Sequence, residues 1–267
     1  MKSMIHYIKI PLLSVLLLLT FTACNKEDEF REKAIQVVIN GYNGGADELE
    51  VNIDTTRYDK TALGGKFLMK PSAMAGFNVV YTYRAAQLNA DVTIKEPASG
   101  KVIFTKPLPA TGTLAYYNFV YLDGKILDVP APAANPAVSK LIFYVHHTAS
   151  DAPFDMFLYR MDNTTGQEFR EYLAKNVKPG TWINVDYTPS AAFNSKNILS
   201  GASIYFTKSG TVDQWAFEET EGRSKFSTFG LSFPIEGDAG LVQAYFIAQG
   251  RFDLERIRLF HNPDRLW

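Results

Sequence analysis

Cysteine is almost missing from this 267-residue chain: it occurs once, at Cys24. No disulfide can therefore close within the chain, and a cysteine-based zinc site of the usual kind is excluded. An excess of charge of either sign is lacking too. The 27 Lys and Arg against 28 Asp and Glu leave a formal net charge of -1. Such a balance offers no basic face to neutralise phosphates, so nucleic acid is excluded as a partner. Long hydrophobic runs are also absent near the start: the uncharged stretch Ile10 to Phe21 is about a dozen residues, short of the roughly 20 that a spanning helix needs. Gly-x-Ser-x-Gly, His-Glu-x-x-His and phosphate-loop patterns do not occur. No catalytic residue, metal ligand or cofactor is expected, and the chain reads as a non-enzyme.

What is there suits a packed core. Hydrophobic residues make up 46% and charged residues 21%, both near globular averages. The 19 Phe and 14 Tyr favour strands, where aromatic side chains pack across a pleated surface.

The N-terminus carries an address. Lys2 and Lys9 give a weakly basic start, and "IPLLSVLLLLTF" follows in the layout of a signal-peptide core. Thr22 and Ala23 then precede Cys24, an arrangement that resembles a bacterial lipobox with Phe21 where Leu is usual. The resemblance implies removal of residues 1–23 and acylation of Cys24, each buried methylene contributing about 0.8 kcal/mol of membrane affinity. "KEDE", Lys26, Glu27, Asp28 and Glu29, reads at its plainest as a solvated tether. It also resembles the export signal of Bacteroidetes-type lipoproteins, which implies an outer-membrane, lipid-anchored protein facing the extracellular side.

Beyond the tether (24–33) the pattern has a period of two. Strand-like runs stand at Ala34–Asn40, Glu48–Asp54, Phe77–Arg84, Ala90–Glu96, Lys101–Leu108 and Leu114–Lys125. Gly and Pro punctuate them about every ten residues, which predicts an all-β sandwich or barrel. "YLDGK" is a hairpin signal, because Asp-Gly takes the turn that right-twisted strands prefer. "DVPAPAANPAVS" (128–139), rich in Pro and Ala and free of aromatics, reads as an extended linker. It separates an N-terminal sandwich (34–127) from a C-terminal one (140–267).

The second half restarts with "KLIFYVHH", a polar loop and "FDMFLYR", echoing the strand–loop–strand opening of the first. Phe169, Tyr172 and Leu173 in "TTGQEFREYLAKNV" fall at helical spacing after a capping threonine, which predicts a short helical insertion. Further strands are expected at Thr181–Thr188, Ala202–Lys208, "QWAFEET", "FSTFGLSFPI", "LVQAYFIAQG" and, closing the chain, within "FDLERIRLFHN".

At "HTASDAPFDMFLY" the sequence resembles the domain of unknown function 4397 family. Ala149, Ser150, Asp151, Ala152 and Pro153 match its Ala-Ser-Pro-Asp-Ala-Pro opening with the first proline missing, and Phe154 to Phe157 stand where its second strand begins. "PLPATGTLAYYNFVYLDG" resembles the family's late hairpin. The resemblance implies an immunoglobulin-like or transthyretin-like sandwich, commonly repeated, in secreted or surface proteins, and it implies no reaction.

Candidate site residues are few. His146 and His147, being adjacent on a strand, face opposite sides and cannot chelate one metal together. His147 with Asp151 or Asp155 would be the carboxylate–imidazole pair of a hydrolase, although Asp151 more simply stabilises its own turn. "DNTTGQE" (Asp162 to Glu168) lacks the alternating oxygen ligands of a calcium loop. Trp182, Trp215 and Trp267 are the candidates for holding a glycan, since aromatic faces suit the apolar faces of sugars. Trp182, inside "TWINVDY", also reads as a core anchor, whereas Trp215 lies in the polar "VDQWAFEET". The expected function is a binding or accessory module at the cell surface, with a glycan or a surface-complex protein as partner. The alternative is an adhesive subunit that pairs edge strands.

Overall fold

The computed structural model describes residues 32–84 and 90–262. Cys24, Lys26 to Glu29 and Trp267 lie outside the described residues. Among those described, the chain is almost wholly β. Its first strands are β1 (Glu32–Asn43), β2 (Glu50–Ile53), β3 (Thr56–Tyr58), β4 (Ala73–Arg84), β5 (Asp91–Lys95), β6 (Val102–Pro107), β7 (Leu114–Leu122) and β8 (Lys125–Ile126). The second series is β9 (Ser139–His146), β10 (Phe154–Met161), β11 (Glu168–Val177), β12 (Trp182–Tyr187), β13 (Ser203–Lys208), β14 (Lys225–Ser227), β15 (Val242–Gln249) and β16 (Leu254–Arg258), with one α-helix among the described residues, α1 (Lys196–Ser200).

They form four four-stranded sheets in a sandwich-like arrangement: β4-β1-β7-β8 and β3-β2-β5-β6 from the first series, β11-β10-β13-β14 and β12-β9-β15-β16 from the second. Alternation drives strand formation as expected. On β4, Phe77, Val79, Tyr81 and Tyr83 are buried while Asn78, Val80, Thr82 and Arg84 are exposed, so one face of the pleat leaves water. The β7–β8 hairpin turns on Asp123 (φ 50°) and Gly124 (φ 78°), the two positive φ values of the tight turn that Asp-Gly favours.

Compact units do not follow the chain in sequence. Among the described residues, one comprises Glu32–Val38 with Glu50–Phe67 and Asn78–Ala115; the other comprises Ile39–Leu49, Leu68–Phe77 and Tyr116–Asn262. In the first, Val51, Ile53, Val92 and Ile94 are fully buried. Glu50 is buried beside them and ion-paired to Lys95 (3.0 Å) and Arg57 (3.3 Å). The larger unit has two apolar clusters. One fills the space between the two second-series sheets, centred on Phe143, Phe154, Phe206, Phe233 and Tyr245. The other joins Tyr42, Val120 and Leu122 to Ile142, Tyr144 and Phe246. Within this unit β15 pairs with β9 in parallel, from Val242 opposite Lys140 to Ala248 opposite His146.

The helical insertion expected around Thr164–Val177 is corrected. Glu168–Val177 is the strand β11, paired antiparallel with β10, and the helix lies at Lys196–Ser200. Phe169 and Leu173 pack on the core and Tyr172 faces away from it, so residues on two faces of one strand give the helical spacing; the strand also carries a β-bulge. The register slips between Phe154 and Met156 and again between Met156 and Phe157. Leu173 and Ala174 therefore both pack on the core, along with Phe169 and Val177, as a bulge allows for consecutive residues. Two expected strands are also shorter than the sequence suggests. "QWAFEET" contributes a single bridge, Thr207 to Trp215. "FSTFGLSFPI" leaves the ladder after Ser227, with Gly230 (φ 80°) and Ser232 (φ 51°) in the left-handed region.

Candidate functional site

Pleating on β10 sends Phe154, Met156 and Leu158 into the core and turns Asp155, Phe157 and Tyr159 to the opposite face of the sheet. On that face one register row crosses four strands: Tyr172 of β11 lies opposite Phe157, Phe157 opposite Tyr205 of β13, and Tyr205 opposite Lys225 of β14. The ring centroids are 5.3 Å apart for Phe157–Tyr172 and 5.8 Å for Phe157–Tyr205. Tyr159 stacks on Tyr205 at 4.5 Å, and Trp215 extends the series at 5.4 Å from Tyr205. Trp215 is delivered by the segment after β13. Its place is fixed by backbone bonds from Lys208 to Gln214 (2.8 Å) and from Ala216 to Phe206 (3.1 Å). Phe157 is buried beneath its neighbours, Tyr172 is 37% exposed, and Tyr159, Tyr205 and Trp215 are half-buried.

Charged groups border these rings. Lys175 lies 3.8 Å from the centre of the Tyr172 ring, Arg170 sits over Phe157 and Tyr159 at 5.7 and 5.6 Å, and Lys225 is 5.6 Å from Tyr205. Cations take these places because an aromatic face is electronegative. Two of these cations have an acid at hand: Arg170 with Glu168 (3.1 Å) and Lys225 with Glu221. Burial holds the Tyr205 and Tyr159 phenols above their ordinary range, and the bond to Glu221 raises the Lys225 ammonium. At neutral pH the row is thus a neutral aromatic surface with phenol donors, edged by paired ions. It can take up flat, partly apolar ligands that also carry hydroxyls.

Asp155 fastens this face. Its carboxylate is almost fully buried and accepts from the backbone N–H of Asn176 (2.7 Å) and Gly210 (3.1 Å) and from the Ser209 hydroxyl (3.2 Å). Asn176 (φ 52°) and Gly210 (φ 79°) are both left-handed, so one side chain ties the end of β11 to the turn that leads to Trp215.

That role removes Asp155 from any pairing with His147. The His147 ring stacks on Phe217 at 4.6 Å, and its Nδ1 meets the Ser150 carbonyl at 3.3 Å. His147 and Asp151 do share the wall of a polar depression of about 360 Å³ with Pro179 and Gly180, and Asp155 is not part of that wall. His146 points the other way, against Tyr42 (5.6 Å) and Phe246 (6.1 Å), where burial lowers its pKa. Asp162 accepts from the amides of Thr164 and Thr165, both at 2.9 Å, in the β10–β11 turn, and those bonds lower its pKa. Among the described residues no group of three or more His, Cys, Asp or Glu is placed to hold a metal.

The structure does not bring the two candidate tryptophans together. Trp182, on β12, packs edge-on against Tyr144 at 5.0 Å and borders the cluster of Tyr42 and Phe246. Trp215 belongs instead with Tyr205, Tyr159, Phe157 and Tyr172, four residues that reasoning from tryptophan alone passes over. The signal for three of them is the alternation itself: in "FDMFLYR" and "SIYFTK" it places Phe157, Tyr159 and Tyr205 on the side opposite the core.

No known protein family matches this sequence, and no curated protein does either. Among solved structures, the chain is similar to a family 26 carbohydrate-binding module, CBMbc of Eubacterium rectale Amy13K, crystallised with maltoheptaose. The identity is 12% and the TM-score 0.24, over 87% of this chain and 100% of that one. It is also similar to the Bacillus anthracis TIE protein, at 11% identity and a TM-score of 0.19, over 81% of this chain and 34% of that one.

Proposed function

We propose that the chain is a non-enzymatic surface lipoprotein whose aromatic sheet face captures a glycan. The observation that carries this reading is the row Tyr172–Phe157–Tyr205, continued by Trp215, within a border of Lys, Arg and Glu side chains. Stacked aromatics receive the apolar faces of successive sugar rings, and polar groups beside them read the hydroxyls. The address rests on the sequence: acylation at Cys24 would anchor the protein to the outer membrane, and Lys26 to Glu29 would direct it to the outer face.

Affinity electrophoresis of the full chain through gels containing α-glucan, β-glucan, xylan, mannan or mucin glycans tests the binding. At least one polymer should retard it, and Tyr172→Ala and Trp215→Ala should each abolish most of the retardation. Full retardation of both variants would remove the row from the site. Protease shaving of intact cells tests the address, with loss of the protein expected and protection refuting surface exposure.

A second reading has its own observation. The twelve-residue β4 and the ten-residue β11 both stand at sheet edges, and such edges are templates for a partner strand. Concentration-dependent assembly without glycan retardation would select it.

A further inference from the structure

The layout of the aromatic row constrains both the length and the charge of a ligand. In the sheet β11-β10-β13-β14 the row lies on the face turned away from the apolar cluster that fills the sandwich. The ladder between β13 and β14 spans only Ser203 to Tyr205. Beyond it the bridge from Thr207 to Trp215 sets Trp215 in the place β14 has left. The rings therefore cross the strands rather than follow one of them. Tyr172 stands on the edge strand β11, Tyr205 two strands further in, and Trp215 one place beyond. Three strand spacings give a path of about 14 Å, room for roughly three sugar rings end to end. Rings laid out on a sheet face meet a chain along its side, whereas a chain end calls for enclosing walls.

Charges along this path are answered in place. Arg170 donates to Glu168 at 3.1 Å, and Lys225 donates to Glu221. The same two cations lie over the rings, Arg170 at 5.6 Å from the centre of Tyr159 and Lys225 at 5.6 Å from that of Tyr205. A carboxylate or sulfate brought here would compete with an acid already bound, and it would meet Glu168 and Glu221 as like charges. An uncharged sugar disturbs neither pair. Lys175 rests its ammonium on the Tyr172 ring, 3.8 Å from its centre, at the outer end of the row.

We infer, building on the glycan reading above, that the row holds an internal run of about three sugars in an uncharged polysaccharide. Affinity electrophoresis of the full chain tests the charge, with soluble starch, barley β-glucan, arabinoxylan and galactomannan set against alginate, polygalacturonate and chondroitin sulfate. At least one neutral polymer should retard the chain and no acidic one should. Raising the salt from about 0.05 to about 0.5 M should change that retardation by less than about twofold, and so should Lys175→Gln. Calorimetric titration with oligosaccharides of the retarding polymer tests the length. Affinity should rise about tenfold from disaccharide to tetrasaccharide and level off beyond, and Tyr172→Ala should reduce that rise. Retardation by an acidic polymer alone, lost in Tyr172→Ala, would overturn the neutral ligand and keep the glycan site. Equal affinity for disaccharide and tetrasaccharide would overturn the internal run by pointing to a chain end. Retardation by neither set would overturn the glycan reading itself, and this inference with it.

Discussion

Replacing Asp155 with alanine should cost this protein about 2–4 kcal/mol of stability. The magnitude follows from what the carboxylate holds. Two of its three bonds come from backbone amides, at 2.7 and 3.1 Å, and these cannot move without breaking the turns that contain them. An orphaned amide costs about 1–3 kcal/mol, less where water can reach it. The third donor, the Ser209 hydroxyl, already has the Asn176 side-chain oxygen at 3.3 Å, so its loss adds little. Asp155→Asn keeps one accepting oxygen and turns an NH₂ toward the other donors, so about 1–2 kcal/mol is expected. Urea unfolding at neutral pH, followed by far-UV circular dichroism, measures both. For the alanine variant the midpoint should fall by about 1 M or more if the slope is unchanged. Its glycan retardation should fall too, because the turn after β13 aims Trp215. An alanine cost below about 1 kcal/mol, or an asparagine variant as damaged as alanine, would refute the assigned role.

Three other changes test separate parts of the structure. Gly41→Ala should lose about 3 kcal/mol or more, because an added Cβ would lie 1.4 Å from the Phe119 carbonyl oxygen on the neighbouring strand; a melting temperature like the parent's would remove that close approach. Glu50→Gln should cost about 1–3 kcal/mol, below the about 3–5 kcal/mol for breaking a fully buried pair, because Arg57 is half in solvent; an unchanged chemical midpoint would show that the pair contributes nothing. Burial depresses the His146 pKa below 6.5, so the unfolded chain binds the proton more tightly. Its contribution is present above about pH 6.5 and lost as the pH falls through the folded value; His146→Gln should flatten the fall in melting temperature between pH 7 and 5, and an identical slope would refute it.

Period-two alternation located β1, β4 and β13 within a few residues because one face of each must leave water, whereas β9, β10 and β15 show as continuous apolar runs because both of their faces are buried. It failed at β11 because Phe169 and Leu173 face the core while Tyr172 faces away from it, so apolar residues on two faces of one strand fall at helical spacing. The mid-chain run after Thr228 failed for another reason: Gly230 and Ser232 adopt positive φ, which side-chain hydrophobicity does not report. The aromatic row was half legible. Each aromatic is visible on its own strand, but the alignment of Tyr172, Phe157 and Tyr205 depends on pairing registers set between residues up to 48 positions apart. Asp155 looked like chemistry from the sequence because its amide partners, at Asn176 and Gly210, are far off along the chain.

The parallel pairing of β9 with β15 carries a consequence for the timing of synthesis. In the sheet order β12-β9-β15-β16 the two inner strands are about a hundred residues apart in sequence, and Ala244, Phe246 and Ala248 complete one apolar cluster while Tyr245 and Ile247 complete the other. Neither cluster can close until β15 has emerged, about a hundred residues after β9. Pairings of such long range form slowly. Until then those two clusters of the larger unit stay open, the state in which a polypeptide can still be threaded through a narrow channel.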